Sequence, residues 1–160
     1  MAELHEAYLS IGSNIEPELH LPQAIRKLRE VGEVRAISSA WESHAVGSNG
    51  PNFLNACVLF IAPLKAHELK EQVIHPVESA LGRVRSADKY APRTMDIDIV
   101  LFDGETINAD VWAKAFVVVP LAGLLPDFHY PPNNEKLSKV AEDMRRQIWI
   151  IERPEVLSAV

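Results

Sequence analysis

The order of strand-like and helix-like segments restricts the fold of this chain more than any other feature of its sequence. Short apolar or alternating runs predict strands, and apolar residues three or four positions apart predict helices. In chain order, the predicted elements are a strand at 7–11, a helix at 21–31, strands at 34–43 and 53–61, a helix at 65–81 and a strand at 94–102. This βαββαβ order predicts an α+β, ferredoxin-like fold, in which helices pack on the faces of a mainly antiparallel sheet.

Glycine, proline and further apolar runs add local predictions. The first strand is predicted to end in a tight turn at 12–14, and Pro76 is predicted to kink or divide the second helix because it lacks a backbone donor. After a short strand at 116–119, a last helix is predicted at 137–144. The apolar run at 148–151 fits either a final strand or a contact with a partner.

The size and composition of the chain indicate one globular domain. Its 160 residues are 48% hydrophobic and 24% charged, and we expect a single domain that covers 1–160. The only cysteine, Cys57, lies in an apolar run, as expected of a buried residue in a reducing compartment. No segment has the pattern of a leader peptide or a membrane span, and the net charge of −6 argues against a broad nucleic-acid surface. We therefore expect a cytoplasmic protein without nucleic-acid or membrane partners, and a monomer is the simplest expectation.

Two aspartates alternate along the predicted strand at 94–102. Because successive side chains of a strand point to opposite faces, Asp96 and Asp98 share one face while Ile97 points to the other. Their α-carbons are then roughly 6.5–7 Å apart, and both carboxylates can bind one hard cation or bridge two. Taken alone, however, this alternation is more typical of the solvent-facing side of an amphipathic strand.

A cationic stretch precedes the aspartates directly. Between positions 83 and 93, only one acid accompanies four basic side chains, which are those of Arg83, Arg85, Lys89 and Arg93. Guanidinium groups bind phosphate oxygens, and carboxylates bind the Mg²⁺ that accompanies a polyphosphate. The two features together therefore indicate a magnesium and nucleotide site, with 86–92 as a loop that could close over the phosphates.

Phe53 and Asn55 alternate on another predicted strand and therefore share a face. A flat apolar ring beside an amide suits a planar heterocycle with donors and acceptors on its edge, although a core phenylalanine and a strand-end asparagine would give the same pattern. The chain has neither a Gly-Lys-Ser/Thr motif nor a Gly-x-Gly-x-x-Gly motif. The ordinary P-loop and Rossmann routes to nucleotide binding are thus excluded.

These motifs together resemble the 6-hydroxymethyl-7,8-dihydropterin pyrophosphokinases of folate biosynthesis. The resemblance extends from about residue 7 to residue 132. It rests on Leu-Ser-Ile-Gly-Ser-Asn at 9–14, Asn-Phe-Leu-Asn-Ala at 52–56, Glu78 with Gly-Arg-Val-Arg at 82–85, and Ala-Pro-Arg-Thr-Met-Asp-Ile-Asp-Ile at 91–99. The last of these motifs is the most specific one.

The resemblance implies an ATP-dependent diphosphotransferase that moves the β,γ-pyrophosphoryl group of ATP to the pterin hydroxymethyl and gives AMP. It implies that Asp96 and Asp98 bind two Mg²⁺ ions, and that Arg83 and Arg93 hold the triphosphate and stabilise the transferring group. The other residues implied on the nucleotide side are His75, Glu78, Arg85, Lys89, Tyr90, Ile99 and Lys114. Those implied on the pterin side are Ser43, His44, Val46, Asn55 and two rings that would sandwich the pterin, Phe53 and Phe116.

The segment before Phe116 departs from the family pattern. The family usually has a Pro-His segment before an Arg-x-Phe, whereas residues 109–116 are shorter by several positions and carry Lys114 in place of the arginine. Lysine keeps the charge but lacks the bidentate fork, which would weaken the grip on ATP. This departure leaves a second hypothesis, a catalytically weak pterin- or nucleotide-binding sensor or partner protein of the same fold. A third is an unrelated ferredoxin-like interaction domain.

Overall fold

The computed structural model describes residues 2–47, 49–83 and 92–160. Within these residues, seven strands form one sheet: β1 (His5–Ser13), β2 (Glu33–Ile37), β3 (Ala40–Ser43), β4 (Phe53–Ala62), β5 (Asp96–Phe102), β6 (Glu105–Thr106) and β7 (Ile150–Arg153). The strand order is β6-β5-β1-β4-β3-β7, and β2 also pairs with β4. All pairings between these described strands are antiparallel. The chain is therefore a mixed α/β protein built on a mainly antiparallel, open sheet.

Helices cover both faces of this sheet. The helical segments of the described residues are α1 (Pro17–Val31), α2 (Ala66–Leu69), a π-helical turn (Lys70–Ile74), α3 (His75–Ala80), a 3₁₀ turn (Ala109–Ala113), α4 (Ala115–Leu124) and α5 (Leu137–Gln147). Leu9 and Ile11 of β1 pack with α1 and the α2–α3 region in one core. Tyr8 of the same strand packs with α4 and α5 in another, so alternate residues of a strand contribute to two cores. None of the described helices is long and apolar enough to cross a membrane.

The predicted division of the second long helix at Pro76 is confirmed. α2 and α3 are joined by the π-helical turn, in which the His75 amide donates to the carbonyl of Lys70, five residues earlier. Proline has no amide hydrogen, and in a regular α-helix its ring crowds the carbonyl four residues before it. The wider turn just before Pro76 relieves that conflict while the segment stays helical.

The predicted strand at 116–119 is wrong, because these residues form the first half of α4. Val117, Val118 and Val119 are all buried, since α4 packs between the sheet and α5. A helix that is buried on all sides has no polar face, so its sequence shows no helical period and resembles a buried strand. Pro120 also lies inside this helix.

The strand predicted at 34–43 and the turn predicted at 12–14 also differ from the structure. The strand predicted at 34–43 is divided into β2 and β3 at Ser38, whose hydroxyl accepts a hydrogen bond of 2.8 Å from the Cys57 amide. Such side-chain bonds compete with the regular ladder between strands. β1 includes the first two residues of the turn predicted at 12–14, which therefore begins only at Asn14.

The C-terminal part of the described chain returns to the edge of the sheet. The helix predicted at 137–144 is confirmed as α5. The apolar run at 148–151 leads into β7, which pairs with β3 so that Ile150 lies opposite Ser43 and Ile151 lies opposite Glu42. The C-terminal segment thus reaches the end of β3, beside the loop that leads to β4.

Candidate active site

Three central strands carry the predicted site residues to one end of the sheet. In the register of β1, Gly12 lies opposite Asn55 of β4 on one side and opposite Asp96 of β5 on the other. Directly opposite side chains point to the same face, as do alternate residues of one strand, so Phe53 and Asp98 share this face. Asn55 and Asp96 are two strand spacings apart, roughly 10 Å. The residues predicted to bind a heterocycle and a metal are therefore neighbours.

A cavity of about 800 Å³ lies over this face. The residues that were predicted from the sequence and that line it are Ser43, His44, Val46, Phe53, Asn55, Arg93, Asp96, Asp98, Lys114 and Phe116. The other lining residues are Gly12, Ala45, Ala113, Ala115, Ile148 and Trp149. The cavity therefore joins side chains from the three central strands, the end of β3, the start of α4 and the segment before β7.

Gly12 makes room for the Asn55 amide. A β-carbon built at position 12 would lie 2.2 Å from Nδ2 of Asn55, far inside van der Waals contact. Glycine within a strand often marks such a close approach between neighbouring groups. The absence of a side chain at Gly12 therefore allows Asn55 to lie across β1 at the floor of the cavity.

Asp96 fixes two arginines at the β5 side of the cavity. Its Oδ1 accepts from Nη1 of Arg83 at 3.0 Å, and its Oδ2 accepts from Nη1 of Arg93 at 3.2 Å. Arg83 also donates to Oε2 of Glu78 at 2.6 Å, and the same oxygen accepts from the Ile97 amide at 2.9 Å. Charge-assisted bonds of this kind hold the guanidinium groups in defined orientations.

The backbone of Arg93 is held by the end of β1. Its amide donates to Oδ1 of Asn14 at 2.7 Å, and its carbonyl accepts from the Asn14 amide at 3.1 Å and from the Ser13 hydroxyl at 3.3 Å. The Asn14 side chain also donates to the Pro51 carbonyl, at 3.4 Å, in the loop before β4. Asn14 is 3% exposed, so one buried amide ties together three segments that border the cavity.

The two aspartates have the chemistry of a site for a hard divalent cation. Although Asp98 as a whole residue is exposed, neighbouring protein atoms replace part of the water around its carboxyl group inside the cavity. The pKa of Asp98 is raised to about 6, mainly by this burial and then by the negative charge of Asp96, while the positive charge of Lys114 lowers it. A cation between two such carboxylates relieves their repulsion, and Mg²⁺ is commonly bound by one or two carboxylates together with phosphate and water oxygens. Asp96 and Asp98 therefore fit Mg²⁺.

Asn55 keeps hydrogen-bonding capacity at the cavity. Its residue is 6% exposed, and its Oδ1 has no hydrogen-bond partner among the described residues. A buried acceptor without a partner costs roughly 1–3 kcal/mol. Since an amide offers both donors and an acceptor, it can serve a ligand edge of either polarity.

The family follows from a direct comparison with known proteins. Residues 8–126 match the family model described as 7,8-dihydro-6-hydroxymethylpterin-pyrophosphokinase, which is well over half of the chain. The chain belongs to this family. The pyrophosphokinase match includes most of β1 and all of β2 to β6, but not β7.

Relatives with the same kind of name occur in several bacteria. The 2-amino-4-hydroxy-6-hydroxymethyldihydropteridine pyrophosphokinase of Synechocystis sp. is 30% identical over 153 residues, which cover 89% of this chain and 77% of that protein. The protein of the same name from Bacillus subtilis is 35% identical over 128 residues, covering 72% and 75%. That of Methylorubrum extorquens is 35% identical over 133 residues, covering 76% and 83%.

Some residues predicted from the resemblance to the pyrophosphokinases do not line the cavity. Glu78 is 3% exposed and lies behind Arg83. Ile99 packs against the core of α1 and α3, and His75 begins α3, which belongs to that same core. Arg83 is not among the lining residues either, although it bonds Asp96. The last three predicted residues, Arg85, Lys89 and Tyr90, lie outside the described residues.

Gly12, Asn14 and Trp149 are among the residues at or beside the cavity that were not predicted from the sequence. Gly12 and Asn14 were interpreted as parts of a tight turn, because glycine and asparagine are common turn residues. A glycine inside a strand pattern could have indicated a close approach instead. Trp149 carried no such signal, because its place in the cavity depends on the pairing of β7 with β3.

Proposed function

We propose that this chain transfers the pyrophosphoryl group of ATP to the hydroxymethyl group of 6-hydroxymethyl-7,8-dihydropterin, giving AMP and the pterin diphosphate. One observation carries the proposal beyond family membership. A single cavity is lined both by Arg93, Asp96 and Asp98 and by Phe53 and Phe116. The first set suits a metal-bound polyphosphate and the second suits a flat heterocycle.

The two sides of the cavity differ in their chemistry. The phosphate end is the part lined by Arg93, Asp96, Asp98 and Lys114, and the pterin end is the part lined by Ser43, His44, Val46, Phe53, Asn55, Phe116, Ile148 and Trp149. At the phosphate end, Asp96 and Asp98 would hold two Mg²⁺ ions, with ATP as co-substrate. Arg83, Arg93 and Lys114 would carry the positive charge that neutralises the triphosphate. The other residues proposed for the nucleotide are His75, Arg85, Lys89, Tyr90 and Ile99.

Glu78 would act through Arg83 rather than on the nucleotide itself. Its buried carboxylate bonds both Arg83 and the Ile97 amide, next to Asp96. Because a buried carboxylate already holds Arg83 in a fixed orientation, no free energy is needed to reorient the guanidinium group during the reaction. We therefore assign Glu78 as a positioning residue of the phosphate end.

At the pterin end, Phe53 and Phe116 would receive the ring between them. Asn55 would bond the polar edge of the ring, since its amide has unused hydrogen-bonding capacity. Ser43, His44 and Val46 would border the same edge from the end of β3. The start of α4 would complete the site, because Lys114 and Phe116 are brought to the cavity together by the shortened segment before it.

The proposed reaction is an in-line displacement. The hydroxymethyl oxygen of the pterin forms a bond to the β-phosphorus of ATP, and the bond from that phosphorus to the α,β-bridging oxygen breaks. AMP leaves with the bridging oxygen, and the hydroxyl proton passes to water. Bound Mg²⁺ would neutralise charge on the phosphate oxygens. The protein would align the two substrates. Its hydrogen bonds from Arg83 and Arg93 to Asp96 would hold the two guanidinium groups in place before the reaction.

We also propose a ferredoxin-like βαββαβ core, made of β1, α1, β2 with β3, β4, the α2–α3 region and β5. The order β5-β1-β4-β3, with the first strand between the third and the last, supports it. This core would belong to one domain over 1–160 that works as a cytoplasmic monomer on small molecules. Cys57 is buried, and burial raises its pKa, as expected of an inert thiol in a reducing compartment.

A single assay tests the proposed reaction. The protein is incubated with ATP, Mg²⁺ and 6-hydroxymethyl-7,8-dihydropterin, and the products are separated by chromatography. We expect AMP and the pterin diphosphate in equal amounts. ADP as the product would indicate ordinary phosphoryl transfer, and tight binding of both ligands without turnover would indicate a sensor.

A further inference from the structure

The pterin end has a wall that comes from the C-terminal segment. Ile148 and Trp149 line the cavity immediately before β7. Both lie outside residues 8–126, which match the family model. This wall is therefore a feature of the present chain that the family match does not include.

Trp149 stacks on His44, a residue of the same cavity. Their ring centroids are 4.5 Å apart and their planes differ by 18°. His44 is also held from its other side, because its Nδ1 donates to Oδ1 of Asn52 at 3.1 Å. The two rings therefore form one aromatic unit whose histidine half is fixed by a hydrogen bond.

β7 fixes this unit at a second point. Arg153 donates to Oε1 of Glu42 at 2.5 Å, and Oε2 of Glu42 accepts from Nδ2 of Asn52 at 2.9 Å. The bonds from Asn52 and Arg153 lower the pKa of Glu42, so the carboxylate stays charged and keeps both partners near neutral pH. A continuous chain of contacts thus runs from Trp149 through His44, Asn52 and Glu42 to Arg153.

Trp149 remains 42% exposed although it carries the largest apolar side chain of the cavity. Aromatic rings gain most when both faces are covered, and a stacked pair with one open side is a common receptor for a planar ligand. In the strand order, β7 lies four spacings from β5, roughly 19 Å. The indole is therefore at the opposite side of the cavity from the aspartates.

We infer that Trp149 is a pterin-binding residue, which forms with His44 an aromatic wall that sets the affinity for the planar heterocycle and takes no part in the phosphate chemistry. The identity of the heterocycle rests on the proposed function. The wall also restricts the site to ligands that are flat on this side. We therefore expect the aromatic wall to affect the binding of the pterin and not that of ATP.

The test compares Trp149→Ala and Trp149→Phe with a matched control. Ile151→Ala removes an equally exposed apolar side chain, 42%, from β7 without touching the cavity. We expect Trp149→Ala to raise the Kd and KM for 6-hydroxymethyl-7,8-dihydropterin about tenfold, with kcat and the KM for ATP unchanged. Trp149→Phe should recover most of the affinity because it keeps the stack on His44, and Ile151→Ala should match the wild type.

Binding is measured by calorimetry with Mg²⁺ and a non-hydrolysable ATP analogue present, so that the order of substrate binding does not matter. The fluorescence of Trp149, obtained as the difference between the spectra of the wild type and of Trp149→Phe, gives a second readout that needs no turnover. We expect the bound pterin to quench it. Wild-type pterin affinity in Trp149→Ala would overturn the inference. So would a fall in kcat, or a rise in the KM for ATP, as large as the loss of pterin affinity. If Trp149→Ala does not fold, an unquenched Trp149 emission on pterin binding to the wild type would overturn it. A wild type that binds the pterin but forms no AMP would contradict the proposed function instead.

Discussion

At the phosphate end of the cavity, Asp96 holds two arginines by ion pairs and a buried glutamate stands behind one of them. At the pterin end, rings from four separate segments, those of Phe53, Phe116, His44 and Trp149, surround an amide with unused hydrogen-bonding capacity among the described residues. Charge at the first end is arranged before a substrate arrives, which serves a reaction whose barrier is mainly electrostatic. Shape and apolar surface at the second end serve recognition. The comparison predicts that variants of the phosphate end change kcat, whereas those of the pterin end change the affinity for the pterin.

The aspartates should give the largest effect. Asp96→Ala and Asp98→Ala each remove a ligand of the proposed Mg²⁺ ions, and we expect kcat to fall by about a thousandfold or more. Pterin binding, measured by calorimetry, should change little. Asp127→Ala is the control, because its side chain is 83% exposed and is not among those that line the cavity. Substantial turnover in either variant would contradict the metal assignment.

Replacing Glu78 should have the next largest effect. Glu78→Gln keeps the shape of the side chain but weakens its charge-assisted bond to Arg83, and we expect kcat to fall about 30-fold with unchanged pterin affinity. In an Arg83→Ala background the same change should have almost no further effect, because the two residues act as one unit. Additive losses in this double-mutant cycle would show that Glu78 does not act through Arg83. Glu71→Gln, an exposed acid of the π-helical turn, is the control.

Gly12→Ala tests the pterin end through its floor. The new β-carbon would collide with the Asn55 amide, so we expect the Kd for the pterin to rise about tenfold and the free energy of unfolding to fall by about 1–3 kcal/mol. Calorimetry and thermal melting measure the two quantities. Gly123→Ala is the control, because its β-carbon would meet only the Ser38 side chain, at 3.8 Å. Unchanged pterin affinity in Gly12→Ala would show that Asn55 does not contribute to pterin binding.

The smallest effect concerns the stability of the metal-free protein. The native state binds the Asp98 proton more tightly than the unfolded state, because the pKa of Asp98 is raised to about 6. The cost to stability is therefore absent below the unfolded pKa of about 4, grows as the pH rises from about 4 to about 6, and is complete above 6. After allowance for solvent screening, Asp98→Asn should increase the free energy of unfolding by about 1 kcal/mol at pH 8 and leave it unchanged at pH 3.5. Denaturant titrations without Mg²⁺ at the two pH values measure the free energy of unfolding. An equal increase at both pH values would show that the ionisation of Asp98 is not its cause.

Local patterns predicted the parts of the site that lie on single strands. Asp96 with Asp98, and Phe53 with Asn55, follow from the alternation of side chains along β5 and β4. The pattern misled at 116–119, because α4 is buried on several sides and its sequence has no polar face. Gly12 and Trp149 could not be placed, because their roles depend on what lies across the sheet, and strand pairing is not visible in a single strand. The chain order βαββαβ predicted the central strands together with α1 and the α2–α3 region, and the run at 148–151 was left as either a final strand or a partner contact.

The bond between Arg153 and Glu42 joins residues 111 positions apart. Closing such a long loop has an entropic cost, and contacts of this range form late in folding. During synthesis the N-terminal part of a chain is available first, so β1, β4 and β5 can pair before β7 has left the ribosome. We therefore expect the nascent protein to assemble its phosphate end before the C-terminal segment completes the aromatic wall around the pterin.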